Sequence, residues 1–263
     1  MRVLRGQLGS VRKVYMRSNR IVRRDDFHQY DETVLLLHGF MQTRNVWEVM
    51  ERRLRDDGYG VFSFDLGGLL WRFNTRSISQ LSQMIAEKLE RICDRTGLER
   101  FHIIGHSKGG LIARHYVQHH GGDRRVKGLI TLGSPHHGTP TAAVGLAVTG
   151  AGVLGPSIWD MVPGSRVLKR MSTDTFPAGI PMVSVYSRHD LVCPWWCSVL
   201  RPRPGESSMQ NVELRSLGHT ELCHDAQVYS VVRRELRATS ALWQERLSHR
   251  NGEGADERRP LHE

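Results

Sequence analysis

Phe101-His-Ile-Ile-Gly-His-Ser-Lys-Gly-Gly110 runs from an apolar start into a glycine-flanked serine. Its apolar start, Phe101 to Ile104, predicts a buried strand. Leu111, Ile112, His115 and Tyr116 then recur at helical spacing. Between them Gly105-His106-Ser107-Lys108-Gly109 forms a sharp turn of the Gly-x-Ser-x-Gly type. A serine at such a turn sits on strained backbone with its hydroxyl clear of the sheet, and the two glycines make room where strand and helix pass closely. The turn also leaves the Lys108 N–H beside the Ser107 hydroxyl at the start of a helix, where it can stabilise an oxyanion. Ser107 is therefore a candidate nucleophile. The five-residue pattern is common; the strand and helix around it give it weight. The rest of the chain must supply a base, an acid and a second oxyanion donor.

Working outward, the same alternation repeats. Thr33–His38 is a continuous apolar run, as a central parallel strand buried on both faces should be. Val46, Trp47, Met50 and Leu54 mark an amphipathic helix ending near Gly58, and a second strand spans 60–65. Ser77 reads as an N-cap for a helix carrying Ile78, Leu81, Ile85, Leu89 and Ile92, which Gly97 ends. After the Phe101 strand and its helix comes a strand over 126–132. This order predicts a mostly parallel α/β sheet with right-handed crossovers and helices on both faces.

Residues 138–179 break the pattern. They are rich in small residues and too long for a plain loop, so a small helical insertion over the site is expected there, either a lid or a routine crossover. Strands over 181–187 and 211–216, an irregular loop over 191–209 and a helix from 226 to about 242 complete the pattern. The expected organisation is an irregular basic segment over 1–30, one domain over 31–243 and a polar tail over 244–263.

Composition fits this reading. A chain of 263 residues with 39% apolar and 24% charged residues can bury one α/β core. The opening Met1-Arg-Val-Leu-Arg-Gly6 has no apolar stretch behind it, so the expected location is the cytoplasm. The net charge of +10 is carried mostly by arginine and suits a solvated surface or an anionic membrane surface. Nucleic acid is not an expected partner, because no basic stripe is interleaved with aromatics. The pairs His119-His120 and His136-His137 are not expected to bind metal, since neighbours on an extended segment point to opposite faces.

Chemistry in open parallel sheets lies beyond the carboxyl ends of the strands. The strand ends in turn carry His38-Gly39-Phe40-Met41, Asp65, Ser107, Pro135-His136-His137, His189-Asp190 and Gly218-His219. A Ser…Asp…His order emerges. His219 is the candidate base, with His224 as the alternative. Asp190 is the candidate acid, with Asp65 and Asp225 as alternatives. The Phe40 N–H is the second oxyanion donor beside that of Lys108. Gly39, Met41, His106, Pro135, His136 and Trp195 are the expected substrate-binding residues.

Five blocks now stand together: Leu37-His-Gly-Phe40, Gly105-His-Ser-Lys-Gly-Gly110, Thr131-Leu-Gly-Ser-Pro-His-His-Gly-Thr139, Ser184-Val-Tyr-Ser-Arg-His-Asp190 and Leu217-Gly-His-Thr220. In this order they resemble the bacterial triacylglycerol lipases and esterases of the α/β-hydrolase fold, the compact lipases above all. The resemblance implies cofactor-free hydrolysis of a lipid or hydrophobic ester through an acyl-enzyme on Ser107. Asp190 would be the acid, His219 the base, and the Phe40 and Lys108 N–H groups the oxyanion hole. A thioester or amide on the same triad is the alternative. A non-catalytic membrane-surface binding protein is the alternative from another class.

Lys108 departs from that pattern, because an apolar or amide side chain is more usual after the nucleophile. Its charge is expected to attract anionic substrates or depress the His219 pKa. The compact lipases also lack a counterpart of residues 140–179, and they are generally secreted. In an oxidising compartment, Cys193 or Cys197 could bridge to Cys223 and pin the acid and base loops together; in the cytoplasm all four cysteines would be free.

Overall fold

A computed structural model describes residues 27–66, 74, 76–149, 156–206 and 208–256. Six strands form one sheet: β1 (Thr33–Leu37), β2 (Gly60–Ser63), β3 (Phe101–His106), β4 (Val126–Leu132), β5 (Met182–Ser187) and β6 (Met209–Leu214). They are ordered β2-β1-β3-β4-β5-β6, and each neighbouring pair is parallel. The helices are α1 (Glu48–Asp56), α2 (Ile78–Thr96), α3 (Lys108–His119), α4 (Pro140–Thr149), α5 (Pro156–Met161), α6 (Arg166–Thr173), α7 (Trp195–Ser198) and α8 (Ala226–Asp256).

The period-two alternation of the strands divides the core in two. Leu35, Leu37, Phe101, Ile103 and Leu129 face one side, where Leu81, Ile85 and Leu89 of α2 and Leu111 and Ile112 of α3 cover them. Val34, Leu36, Ile104, Ile130 and Leu132 face the other, against Met50 and Leu54 of α1 and Val228, Val232 and Leu236 of α8. Burial of each such side chain stabilises the fold by about 1.5–3 kcal/mol relative to exposure. Every residue of β1 and β3 is buried, because both strands lie inside the sheet. The N-terminus of α2 carries the expected cap. Ser77 accepts from the Gln80 N–H while the Gln80 side chain accepts from the Ser77 N–H, and left-handed Gly97 closes the helix.

Some boundaries differ from expectation. The segment 191–209 is not wholly irregular, since it holds the short helix α7. The last helix does not stop near Leu242 but runs on to Asp256. Its extension has anchors: Trp243 Nε1 donates to the Lys127 carbonyl at 2.7 Å and Arg246 donates to the Gly179 carbonyl at 2.5 Å. The described part of the insertion holds α4, α5 and α6, as helices were expected there. Residues 1–26 of the basic segment, the stretch 150–155 of the insertion and the last seven residues of the tail lie outside the described residues. Among the described residues, no helix is long and apolar enough to cross a membrane.

A charge cluster secures the end of the sheet opposite the site. The Glu32 carboxylate lies 2.8 Å from Lys127 Nζ and 3.0 Å from the Nε2 of buried His102. Burial alone would raise the Glu32 pKa, but these two partners outweigh it and hold it at about 2, below the ordinary 4.5. A depressed carboxylate contributes stability that is fully present above about pH 4.5 and is lost as pH falls towards 2. Glu32→Gln should therefore lower stability by about 1–3 kcal/mol at pH 7. In urea titrations at several pH values, the gap between wild type and variant should close as the pH approaches 2.

Candidate active site

β3 ends at His106 and α3 begins at Lys108, so Ser107 alone makes the turn. Its backbone sits at φ 53°, ψ −124°, the left-handed side that a non-glycine residue adopts only under strain. Such strain costs on the order of 1–3 kcal/mol and persists where the surroundings impose it. The surroundings here are tight. A β-carbon on Gly105 would lie 2.5 Å from Gly110 Cα, and one on Gly109 would lie 2.2 Å from the Leu37 carbonyl oxygen. Both glycines are thus required by the close passage of strand and helix.

The loop after β1 reaches over this elbow. A β-carbon on Gly39 would lie 2.9 Å from Ser107 Cβ, so the two segments touch. Met41 also takes a positive φ of 54°. Gln42 holds the loop down: its Oε1 accepts from the Gly39 N–H at 2.9 Å and lies 2.9 Å from His106 Nδ1. His38 is fully buried, and its Nε2 accepts from the Leu66 N–H at 3.1 Å. Burial pushes its pKa down to about 4, so it is a neutral structural ring at physiological pH.

The loops after β5 and β6 bring Asp190 and His219, the candidate acid and base, together. His219 Nδ1 and Asp190 Oδ2 are 2.7 Å apart, and both side chains are buried. The other oxygen of Asp190 accepts from the Val192 and Cys193 N–H groups at 2.9 and 2.8 Å. One carboxylate oxygen is thus fixed by backbone, which aims the other at the imidazole. Gly133, at the end of β4, leaves room for the pair: a β-carbon there would lie 3.1 Å from Asp190 Oδ2 and 3.3 Å from His219 Nδ1. His219 also lies against the elbow. Its carbonyl is 3.0 Å from His106 Nε2, and the two rings are 4.5 Å apart. The rival acids are engaged elsewhere: Asp65 accepts from the Arg44 N–H and Asp225 from the Gln227 N–H.

Other expected residues are placed differently. His106 and His136 were expected to bind substrate. Both are buried, and burial drives both pKa values well below the ordinary 6.5. His106 spans Gln42 and His219, and His136 Nε2 faces Thr131 Oγ1 at 3.1 Å; neither ring presents itself at a surface. Pro135 is likewise buried. Trp195 is half-buried, with the Arg188 guanidinium 4.5 Å from its ring centre. The four cysteines are free and buried, so no bridge links the loops that carry Asp190 and His219. Among the described residues, no group of three or more His, Cys, Asp or Glu side chains is placed to hold a metal ion.

Lys108 is the largest departure. Its side chain is fully buried rather than facing the site. Nζ donates to Asn74 Oδ1 at 2.8 Å, to Ser157 Oγ at 2.5 Å and to the Arg76 carbonyl. An ammonium so engaged is not available to attract an anionic substrate. Burial pushes its pKa down to about 7, and the Asp160 charge partly restores it. Gln42, Asn74 and Ser157 were not identified from the sequence.

The family model described as the alpha/beta hydrolase fold matches residues 32–148. The chain has the α/β-hydrolase fold. Solved structures with this fold include the mature form of a lipase from Bacillus licheniformis, which is 17% identical at a TM-score of 0.64. That match covers 83% of this chain and 96% of the other. A monoacylglycerol lipase from Paleococcus ferrophilus is 14% identical at a TM-score of 0.55, covering 80% of this chain and 94% of the other. In sequence, the chain is 38% identical over 82 residues to the dihydrolipoyllysine-residue acetyltransferase component of the acetoin cleaving system of Cupriavidus necator. The match covers 31% of this chain and spans 21% of that relative's length. In this hydrolase-fold chain the family match takes in Phe40, Ser107 and Lys108. Asp190 and His219 lie beyond it, and their pairing rests on the geometry of the last two strand-end loops.

Proposed function

We propose that this chain is a serine carboxylic-ester hydrolase acting on lipid or hydrophobic esters, with Ser107 as nucleophile, His219 as base and Asp190 as acid. The observation that carries the reading is the 2.7 Å contact between His219 and Asp190 beside a strained serine elbow. A serine hydroxyl is a weak nucleophile at neutral pH and needs an oriented base. With Nδ1–H donated to Asp190, the His219 ring keeps its Nε2 lone pair for the Ser107 proton. Ser107 Oγ then adds to the ester carbonyl, and the resulting oxyanion accepts from the Lys108 and Phe40 N–H groups. Collapse expels the alcohol, which takes the proton from the imidazolium, and leaves the acyl group on Ser107. Water repeats the sequence and releases the acid.

The kinship in fold with lipases supports an ester substrate. The exposed side chains of Trp159 on α5 and of Leu191, Val192 and Trp196 beside the acid support a hydrophobic acyl group. The net charge of +10 supports presentation of that substrate at an anionic surface.

The reading is tested with p-nitrophenyl esters of increasing acyl length, together with the thioester and anilide of the preferred chain. Ester turnover exceeding that of the thioester and anilide is expected. Preference for the thioester or anilide would move the same triad to a different substrate class. Salt-sensitive liposome binding with no turnover would replace catalysis by surface binding.

A further inference from the structure

The ammonium of Lys108 has no carboxylate within ion-pairing distance among the described residues, yet it is enclosed by oxygen. Nζ donates to Asn74 Oδ1, to the Asn74 main-chain carbonyl, to Ser157 Oγ and to the Arg76 carbonyl. Ser157 passes its own hydroxyl proton on to the Asn74 carbonyl at 3.3 Å. Burying a charge in this way is costly, and an apolar side chain would fill the space without that cost.

What the cluster holds together gives it a purpose. Asn74 is fully buried, and its Nδ2 donates to the His38 carbonyl at 3.1 Å. That carbonyl opens the His38-Gly39-Phe40 loop, which carries one oxyanion donor. The other donor is the main-chain N–H of Lys108 itself. One residue therefore supplies the first donor and, through Asn74, grips the loop that supplies the second. On the far side Ser157 belongs to α5 of the insertion, and Asp160 of the same helix accepts from the Ile78 N–H at 2.6 Å. The insertion is thereby anchored to the same point.

We propose that Lys108 is a positioning residue that uses its buried ammonium, relayed through Asn74, to fix the two oxyanion donors relative to each other and to anchor α5 beside them. The proposal rests on the ester-hydrolase reading. It assigns Lys108 no contact with substrate through its side chain. Its effect should appear in kcat, because the donors act on charge that develops only in the transition state. A misplacement of about 1 Å can cost on the order of 100-fold.

The test compares ester kinetics of wild type, Lys108→Met and Asn74→Asp with the affinity of each for a trifluoromethyl ketone, which forms a tetrahedral adduct on the serine. Asn74→Asp keeps the oxygen that accepts from Lys108 but removes the amide donor to His38. Both variants should lose about 10- to 100-fold in kcat with KM changed by less than about threefold. Ketone affinity should fall in step with kcat/KM, and the double variant should lose little more than either alone. Wild-type kcat in Asn74→Asp would overturn the relay, even if Lys108→Met fails to fold. Wild-type kcat in a folded Lys108→Met would overturn the positioning role. A wild-type protein that turns over no ester would instead overturn the hydrolase reading, and the proposal with it.

Discussion

Ser107→Ala should abolish ester turnover, lowering kcat by at least about 10⁴-fold while leaving the fold intact. Three features carry this expectation. The elbow places one residue between β3 and α3, so no neighbouring hydroxyl can take its position. The proposed oxyanion donors are backbone N–H groups, which the substitution leaves in place, so the residual rate measures their contribution and binding alone. Alanine also keeps a β-carbon at φ 53°, so it inherits the same backbone strain as serine. Circular dichroism and thermal unfolding should therefore match wild type while hydrolysis of the preferred p-nitrophenyl ester disappears. Retained turnover in a purified, folded Ser107→Ala protein would remove Ser107 from the chemistry.

Asp190→Asn should cost a comparable factor for a different reason. Asp190 Oδ1 accepts from two backbone N–H groups, those of Val192 and Cys193. An asparagine must therefore turn its oxygen to these donors and its amide towards His219 Nδ1. The amide donates, so Nδ1 must become the acceptor and the ring proton moves to Nε2. That places a proton where the base needs a lone pair. Loss of about 10⁴-fold in kcat is expected, with KM little changed. Substrate affinity near wild type with collapsed kcat, from full saturation curves, is the signature of a wrong tautomer. A loss confined to KM would show that Asp190 shapes the binding site rather than the base.

The parts of this molecule legible in its sequence are those whose signal is local. Thr33–Leu37 and Phe101–Ile104 read as buried strands because strands covered on both faces have no polar side to interrupt the apolar run. Gly105, Gly109 and Ser107 were legible because the elbow is built from five adjacent residues. Asp190 and His219 were legible from their positions at strand ends. Gln42, Asn74 and Ser157 were not legible, because a buried polar side chain is chosen by partners that only the fold supplies. Asn74 serves His38 and Lys108 from 36 and 34 residues away, and Ser157 serves Lys108 from 49. His106 and His136 were misplaced for a related reason. Adjacency to a catalytic block says nothing about which way a ring turns, and both turn inward. The continuation of α8 past Leu242 depends likewise on Trp243 and Arg246 reaching carbonyls far away in the chain.

The proposed chemistry stands on activation of Ser107 by the His219–Asp190 pair. Its most direct test is treatment of the folded wild-type protein with a fluorophosphonate, with intact mass and peptide mapping of the product. One adduct per chain is predicted, on the peptide that contains Ser107, formed slowly in Asp190→Asn and absent in Ser107→Ala. No adduct on folded wild-type protein, or an adduct on another residue, would contradict the claim.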